Sequence, residues 1–569
     1  MRLCRPGGSI SNVNTSEWTQ SMFCYQCQEA AKNAGCTIRG LCGKDDRVAR
    51  LQDLLVYAIK GIAQIVVKGK IDIGNIPEIN LQVLRSLSMT LTNANFDGAA
   101  IEKQIKEMMS LRNKLRQGAD ATALHDAAIF EINPGGSRLY AKEHMLYKAR
   151  LVGVLATKDE DLRSLRETIL YAVKGMAAYL DQALHAGKED FQIYAFIYEA
   201  LAATLDDHHS TDDLIALAVK TGEYGLKAMA LLDRAYTTKY GHPEITRVNI
   251  GVRNHPAILI SGDDLSDLEQ LLEQTRGTGV DVYTHGDMLA AHHYPAFKTY
   301  DNLAGNYGSS WCTQAGEFKS FHGPILFNSN CIMPLKQEEL KTRVFTTGFS
   351  GFPGCAHIVP DVGGKKDFSS LIELAKTLPG PEEIQSGGLE GGYARHQLAA
   401  LANRLADAID SGTIKKVFFM PGWDGLLKSR RYYTEFARKL PGDTVILTAG
   451  CAKYRFNKLE LGNAAGLPRV LDAGQLNDSY SLMVLALKLQ AIMGLDDINK
   501  LPFVYNIAWF EQKTVTVLLA LLYLGVKNIH LGPTLPAFLS RNVAQIFTEE
   551  FGIKGISTVD DDIAMFMAE

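Results

Sequence analysis

AILISGDDLSDLEQLLEQTRGTGVDVYTHG, residues 257–286, reads as strand, tight turn, amphipathic helix and second strand. The first run is apolar throughout, Gly262-Asp263-Asp264 makes the turn, and a helix covers Leu265–Gln274. A strand–helix–strand unit of this length places its two strands parallel. The same grammar continues in ILFNSN (325–330) and VFTTG (344–348). It returns in VFFMPG (417–422), TVILTAG (444–450), RVLDAG (469–474), FVYNIAW (503–509) and VKNIHLG (526–532). Two consecutive α/β domains with largely parallel sheets follow, over 239–380 and 381–569. No strand is followed by G-x-G-x-x-G and no phosphate loop is present, so a dinucleotide or nucleotide cofactor is unsupported.

Upstream the periodicity is helical, from about residue 50 to 238. LQDLLVYAIKGIAQIVVKG (51–69) and TILYAVKGMAAYLDQALHAG (168–187) share a YA-(I/V)-KG-(I/M)-A core, at Tyr57–Ala63 and Tyr171–Ala177. This is an internal repeat and implies two similar helical bundles in one domain, 22–238. Residues 1–21 are polar and aperiodic, and a disordered extension is expected there. Met22 opens the cysteine motif directly and is a candidate start. Arg2 and Arg5, with no acid before Glu17, leave an organellar leader open.

The chain has 569 residues, too many for one core. Its 59 basic and 63 acidic side chains give a charge of −4, which argues against a general nucleic-acid binder. No apolar run spans a membrane; the longest, Val515 to Val526, reads as a buried helix. A cytoplasmic protein is expected.

Four of the nine cysteines fall in CYQCQEAAKNAGCTIRGLCGK, as C-x2-C-x8-C-x5-C at Cys24, Cys27, Cys36 and Cys42. Four thiolates suit an iron–sulfur cluster or tetrahedral zinc, and two disulfides are the remaining reading. Gly35, Gly40 and Gly43 let the backbone close around such a centre.

In parallel sheets, sites form beyond the carboxyl ends of the strands. Those tips carry Asp263, Asp287, Cys331, Trp423, Cys451 and Leu476, with Glu511 and Lys513 after FVYNIAW. Individually they have ordinary readings. Asp263 suits a helix N-cap, the two cysteines suit buried thiols, and Glu511 with Lys513 suits a solvated pair or helix start. Their recurrence in both domains points to one interdomain site.

The chain resembles the hybrid cluster proteins, also called prismane proteins or hydroxylamine reductases. The resemblance runs from Met22 almost to the end. MFCYQCQEAAKNAGCTIRGLCGK (22–44), YGHPEITRVN (240–249), NYGSSW (306–311), TAGCAKYRFNKLELG (448–462), LPRVLDAGQLNDSYS (467–481) and WFEQK (509–513) carry it, with 51–61 and 258–295. It implies two helical bundles followed by two Rossmann-like domains. It implies a 4Fe–4S cluster on Cys24, Cys27, Cys36 and Cys42, an external donor such as a ferredoxin or reductase, and a small nitrogen-oxide substrate. The family reaction is reduction of hydroxylamine to ammonia and water, or of nitric oxide.

The resemblance also implies an iron–sulfur–oxygen hybrid cluster held by one His, two Glu and four Cys, one bearing a persulfide, with a Lys beside it. This sequence departs there. The histidine position is Asp263 and the first glutamate is Asp287. The persulfide cysteine is Trp423 and another cysteine is Leu476, while Cys331, Cys451, Glu511 and Lys513 are retained. Trp and Leu do not ligate iron, and added Asp favours harder ions. The standard hybrid cluster is therefore expected to be absent or altered. Two function classes result: a reductase using Glu511, Lys513 and nearby His285, His292 or His293 for protons, and an electron-transfer or partner-binding homologue with only the first cluster. A small metal site on Asp263, Asp287, Cys331, Cys451 and Glu511 is a further alternative.

Overall fold

The computed structural model describes residues 22–117, 124–132, 138–329 and 332–568. Cys331 and the segment 1–21 lie outside the described residues.

Among the described residues, helices dominate from Asp46 to Tyr240. The principal ones are Asp46–Lys68, Pro77–Met89, Gly98–Arg116, Glu160–His185, Phe191–Ala203 and Thr211–Tyr240. Their starts are written locally. The Asp159 carboxylate accepts from the amides of Asp161 and Leu162. Ser210 and Asp213 cap one another's amides at the start of the longest helix.

Two six-stranded parallel sheets follow. In the first, the strands lie in the order Leu303–Asn306, Asp281–His285, Ala257–Ser261, Ile325–Phe327, Val344–Thr347 and Ala356–Ile358. In the second, the order is Val470–Asp472, Thr444–Thr448, Lys416–Phe419, Phe503–Ala508, Ile529–Gly532 and Lys554–Gly555. Ile446 pairs with Val470, so the stretches read at 444–450 and 469–474 are neighbouring strands. Both sheets start in the middle, grow one way for three strands, then return to grow the other way. This is the doubly wound order, and it opens a crevice where the direction reverses.

The reversal lies between Ala257–Ser261 and Ile325–Phe327 in one sheet, and between Lys416–Phe419 and Phe503–Ala508 in the other. Gly262 and Gly422 turn the chain there at φ +148° and +141°. A Cβ would lie 1.9 Å from Asn328 Oδ1 at Gly262 and 2.0 Å from the Ala508 carbonyl oxygen at Gly422. Only glycine fits either place.

Several strands escape periodicity. Thr246–Asn249 and Gly388–Gly391 form an antiparallel ribbon, and Leu303–Asn306 and Ala356–Ile358 pair at the first sheet. LAGN and GLEG contain glycine and few β-formers, and AHI is largely exposed, so neither composition nor alternation marks them.

Helix Gln512–Tyr523 leaves the second sheet and enters the helical layer, buried along most of its length. Glycines make the room. A Cβ on Gly175 would meet Thr516 Oγ1 at 2.2 Å, and one on Gly222 would meet the Leu519 carbonyl oxygen at 1.9 Å. Thr516 Oγ1 donates to the Ala172 carbonyl at 2.9 Å. Among the described residues no helix is long and apolar enough to cross a membrane.

Because the atom that a Gly222 side chain would meet is backbone, Gly222→Ala must push two helices apart. It should destabilise the protein by at least about 2 kcal/mol. Chemical denaturation of the two proteins measures this; equal stability would show that the helices are not clasped there.

Candidate metal centres

The N-terminal motif is held by short local contacts. Cys24 and Cys36 form an isolated antiparallel bridge, with N–O distances of 3.1 and 2.8 Å. Cys36 Sγ accepts from the Ala31 amide at 3.4 Å, and Lys44 Nζ stands 3.7 Å from Cys24 Sγ. A Cβ on Gly40 would lie 2.9 Å from Cys42 Sγ, so that glycine makes room for the sulfur. Burial pushes the Cys42 thiol up to about 11, with Cys24 and Cys36 adding to the rise against the pull of Lys44. Burial, then Cys42 and Cys24, pushes Cys27 well up. Cys27 and Cys42, pushed up by burial and by neighbouring sulfur, are poor thiolates unless positive charge lies among them, which is what an iron–sulfur core supplies. Among the described residues no three His, Cys, Asp or Glu side chains are placed to hold a single metal ion.

The motif is tied to the second sheet. Glu29 accepts from the Leu426 amide, and the Gln28 amide donates to the Phe510 carbonyl at 2.8 Å. Arg430, fully buried, donates to Gln28 Oε1 at 3.0 Å and to the carbonyls of Trp423 and Trp509 at 2.7 Å each. One guanidinium thus spans from the cysteine motif to the tips of two strands.

Those tips form the second candidate site. Asp263 is not the helix N-cap; its neighbour Asp264 is, accepting from the Ser266 amide at 2.9 Å. Asp263 instead pairs with Lys513 from the other sheet, and its second oxygen accepts from Gln182 Nε2 at 2.7 Å. The Lys513 ammonium also stands 5.7 Å from the Trp423 ring centre and 6.0 Å from that of Tyr179. Glu511 caps helix Gln512–Tyr523 through the Lys513 amide at 3.2 Å, yet it is fully buried, not solvated. Its other oxygen has no partner among the described residues. Burial, against the pull of Lys513, pushes its carboxyl up to about 7.

Asp287 is more isolated, with neither carboxylate oxygen partnered among the described residues. Burial pushes it up to about 7 against Lys453, whose ammonium is itself held by Asp472 at 2.7 and 2.9 Å. Cys451 Sγ accepts from the Asp424 amide at 3.3 Å, and burial pushes its thiol well up. Trp423 is buried with its indole nitrogen unpartnered among the described residues. Leu476 packs behind Gly450, where a Cβ would lie 3.2 Å from the Leu476 Cβ. The cavity bounded by Asp287, Trp311, Trp423 and Cys451 is about 10 Å³, room for about one water.

The three histidines have separate settings. His285 lies between Ser261 Oγ at 2.9 Å and Glu317 Oε2 at 3.0 Å. His292 faces Thr284 Oγ1 at 3.0 Å, and burial lowers it to about 4. His293 has neither ring nitrogen partnered among the described residues, and burial pushes it well below the usual range. The contacts of Arg430 with Gln28, of Gln182 with Asp263 and of Lys453 with Asp472 carry no sequence motif.

The chain belongs to the Prismane/CO dehydrogenase family, whose pattern matches residues 22–564. It is 64% identical over 548 residues to a hydroxylamine reductase of Acetivibrio thermocellus, covering 96% of this chain and 100% of that one. It is 55% identical to a hydroxylamine reductase of Clostridium perfringens, with the same two coverages, 96% and 100%. Among solved structures it is similar to carbon monoxide dehydrogenase IV from Carboxydothermus hydrogenoformans. There the TM-score is 0.57 at 16% identity, covering 96% of this chain and 92% of the other, a likeness of fold.

Lys513 pairs with a carboxylate that is 5% exposed. Lys513→Met should cost about 3–5 kcal/mol by leaving Asp263 charged and buried. Replacing both residues with apolar ones should cost less than Lys513→Met alone. A double-mutant cycle by chemical denaturation decides this; additive losses would show that the two do not act as a pair.

Proposed function

We propose that this chain is an iron–sulfur redox protein of the hydroxylamine reductase kind. Cys24, Cys27, Cys36 and Cys42 would hold a 4Fe–4S cluster, which would supply one-electron transfers from an external donor such as a ferredoxin or a reductase. The observation that carries this reading is that Cys24, Cys27, Cys36 and Cys42 lie in one small motif, where burial and neighbouring sulfur push Cys27 and Cys42 up, within a chain 64% identical to a hydroxylamine reductase. Arg430 and Gln28 hold that motif rigidly against the strand tips of the second sheet. The substrate class is a small nitrogen oxide. We divide the chain into a helical domain at 22–238 and Rossmann-like domains at 239–380 and 381–569.

The second pocket does not fit the hybrid cluster, and no step is assigned through that group. Asp263 is taken by Lys513 and Gln182, Trp423 and Leu476 offer no ligand, and about 10 Å³ of space is left. What these residues can do is hold protons: Glu511 and Asp287, both raised to about 7, change state near neutrality, and Lys513 is paired with Asp263. A second reading is favoured by the Asp263–Lys513 pair and by Trp423, namely an electron-transfer homologue with only the first cluster working.

Anaerobic iron and sulfide determination separates the readings. Protein as isolated should hold about four irons per chain, and Cys36→Ser should abolish its cluster spectrum. Hydroxylamine turnover with a reduced dye should be slight. About eight irons per chain with brisk turnover would overturn the assignment of the second pocket. Zinc in place of iron, or an unchanged spectrum in Cys36→Ser, would overturn that of the first.

A further inference from the structure

The internal repeat has a use that neither candidate centre takes up. Both copies line one cavity of about 510 Å³ in the helical layer, within the usual range for small-molecule sites. Tyr57 and Lys60 come from the first copy, Tyr171 and Lys174 from the second. Asp53 and Glu167, each four residues before its tyrosine, line it as well. Acid, tyrosine and lysine at i, i+4 and i+7 share one face of a helix, so each copy presents the same three groups. Lys44 adds a further ammonium to the wall.

These groups do not satisfy one another. Among the described residues no ion pair within 4.0 Å joins Lys44, Lys60 or Lys174 to Asp53 or Glu167. Lys174, 4% exposed, donates to Gln26 Oε1 at 3.4 Å and stands 5.5 Å from the Tyr171 ring centre, with no carboxylate within 4.0 Å among the described residues. Arg166 spends one nitrogen on the Asp206 carbonyl and Asp207, both at 2.8 Å, while its buried Nε has no partner among the described residues. Buried charges held apart by a void are costly unless something polar lies between them. With Lys158, Arg166, Asp159 and Asp207 also on the wall, five basic side chains face four carboxyls, and Lys44 already donates to Gln52 Oε1 at 2.6 Å. Burial, with Glu167 adding to it, pushes Asp53 up to about 7, while burial lowers Lys174 to about 8 and Lys60 below its usual value, so the uncompensated groups on both copies favour a charged partner between them. At Gly153 a Cβ would lie 2.7 Å from Asp53 Oδ2, so the missing side chain leaves that carboxyl its place on the wall.

We propose that this cavity is a binding site for a small anion with several oxygen acceptors, of the size of inorganic phosphate or a short dicarboxylate, held between Lys60 and Lys174 of the two repeat copies. The test uses the anaerobically purified full chain at fixed ionic strength, titrated calorimetrically with inorganic phosphate and, separately, with succinate. Saturable binding of either is expected, and which one binds identifies the source of the anion. Lys174→Gln and Lys60→Gln should each weaken it about tenfold or more, with cluster spectrum and thermal midpoint unchanged. Lys60 is only half-buried, so its variant keeps the test sound if Lys174→Gln does not fold. The proposal is overturned if neither anion binds saturably at millimolar concentration, or if both lysine variants bind as the parent does.

Discussion

The arrangement depends on one buried ion pair and on the helix that delivers it. Lys513 stands in the first turn of helix Gln512–Tyr523, and Asp263 stands just past a strand of the other sheet. For them to meet, the helix must enter a slot between helices Glu160–His185 and Thr211–Tyr240. Gly175 and Gly222 open that slot by presenting bare backbone. The pair then joins three parts of the chain at once, because Gln182 of the first of those helices donates to the same Asp263 carboxylate. Breaking it exposes no group to water. It strands a charge where solvation is absent, which is why its geometry constrains everything around it.

The same burial sets the chemistry of the second pocket. Four acids or thiols, Asp263, Asp287, Cys451 and Glu511, lie in a region with little water and few cations. Lys513 serves Asp263, and Lys453 is held by Asp472. The remaining groups are therefore pushed towards their neutral forms. Trp423 and Leu476 occupy space with apolar bulk, in keeping with the cost of leaving a core void unfilled. Close kinship by sequence and the loss of ligands proposed for this pocket are compatible, because identity is counted over the whole fold whereas ligation depends on a handful of positions.

Much of this was legible in advance, for identifiable reasons. Strands such as AILIS and TVILT are short apolar runs ended by glycine, and helix Glu160–His185 has a strong apolar periodicity. The candidate site could be placed because strand tips are predictable once strands are. Asp263 was open to reading as an N-cap because Asp263 and Asp264 are adjacent and chemically alike; only the backbone angle at each decides which caps. Glu511 and Lys513 read locally as a possible solvated pair because nothing in WFEQK reveals that a helical layer covers it. The repeat was visible as YA-x-KG-x-A, but its acids at 53 and 167 differ in type, and their convergence on one cavity is not a sequence property.

By itself, the sequence determined most of the helices and the central strands, the parallel character of the sheets and the spacing of the four N-terminal cysteines. Those follow from local sterics, periodicity and side-chain chemistry, which act within a few residues. The tertiary structure alone decided that Asp263 is paired with Lys513, that Asp287 and one oxygen of Glu511 are without partners among the described residues, and that two distant lysines share a cavity. These are matters of which charges are shut away from water together. That depends on how whole helices and sheets pack, through contacts spanning hundreds of residues, and no local pattern encodes it.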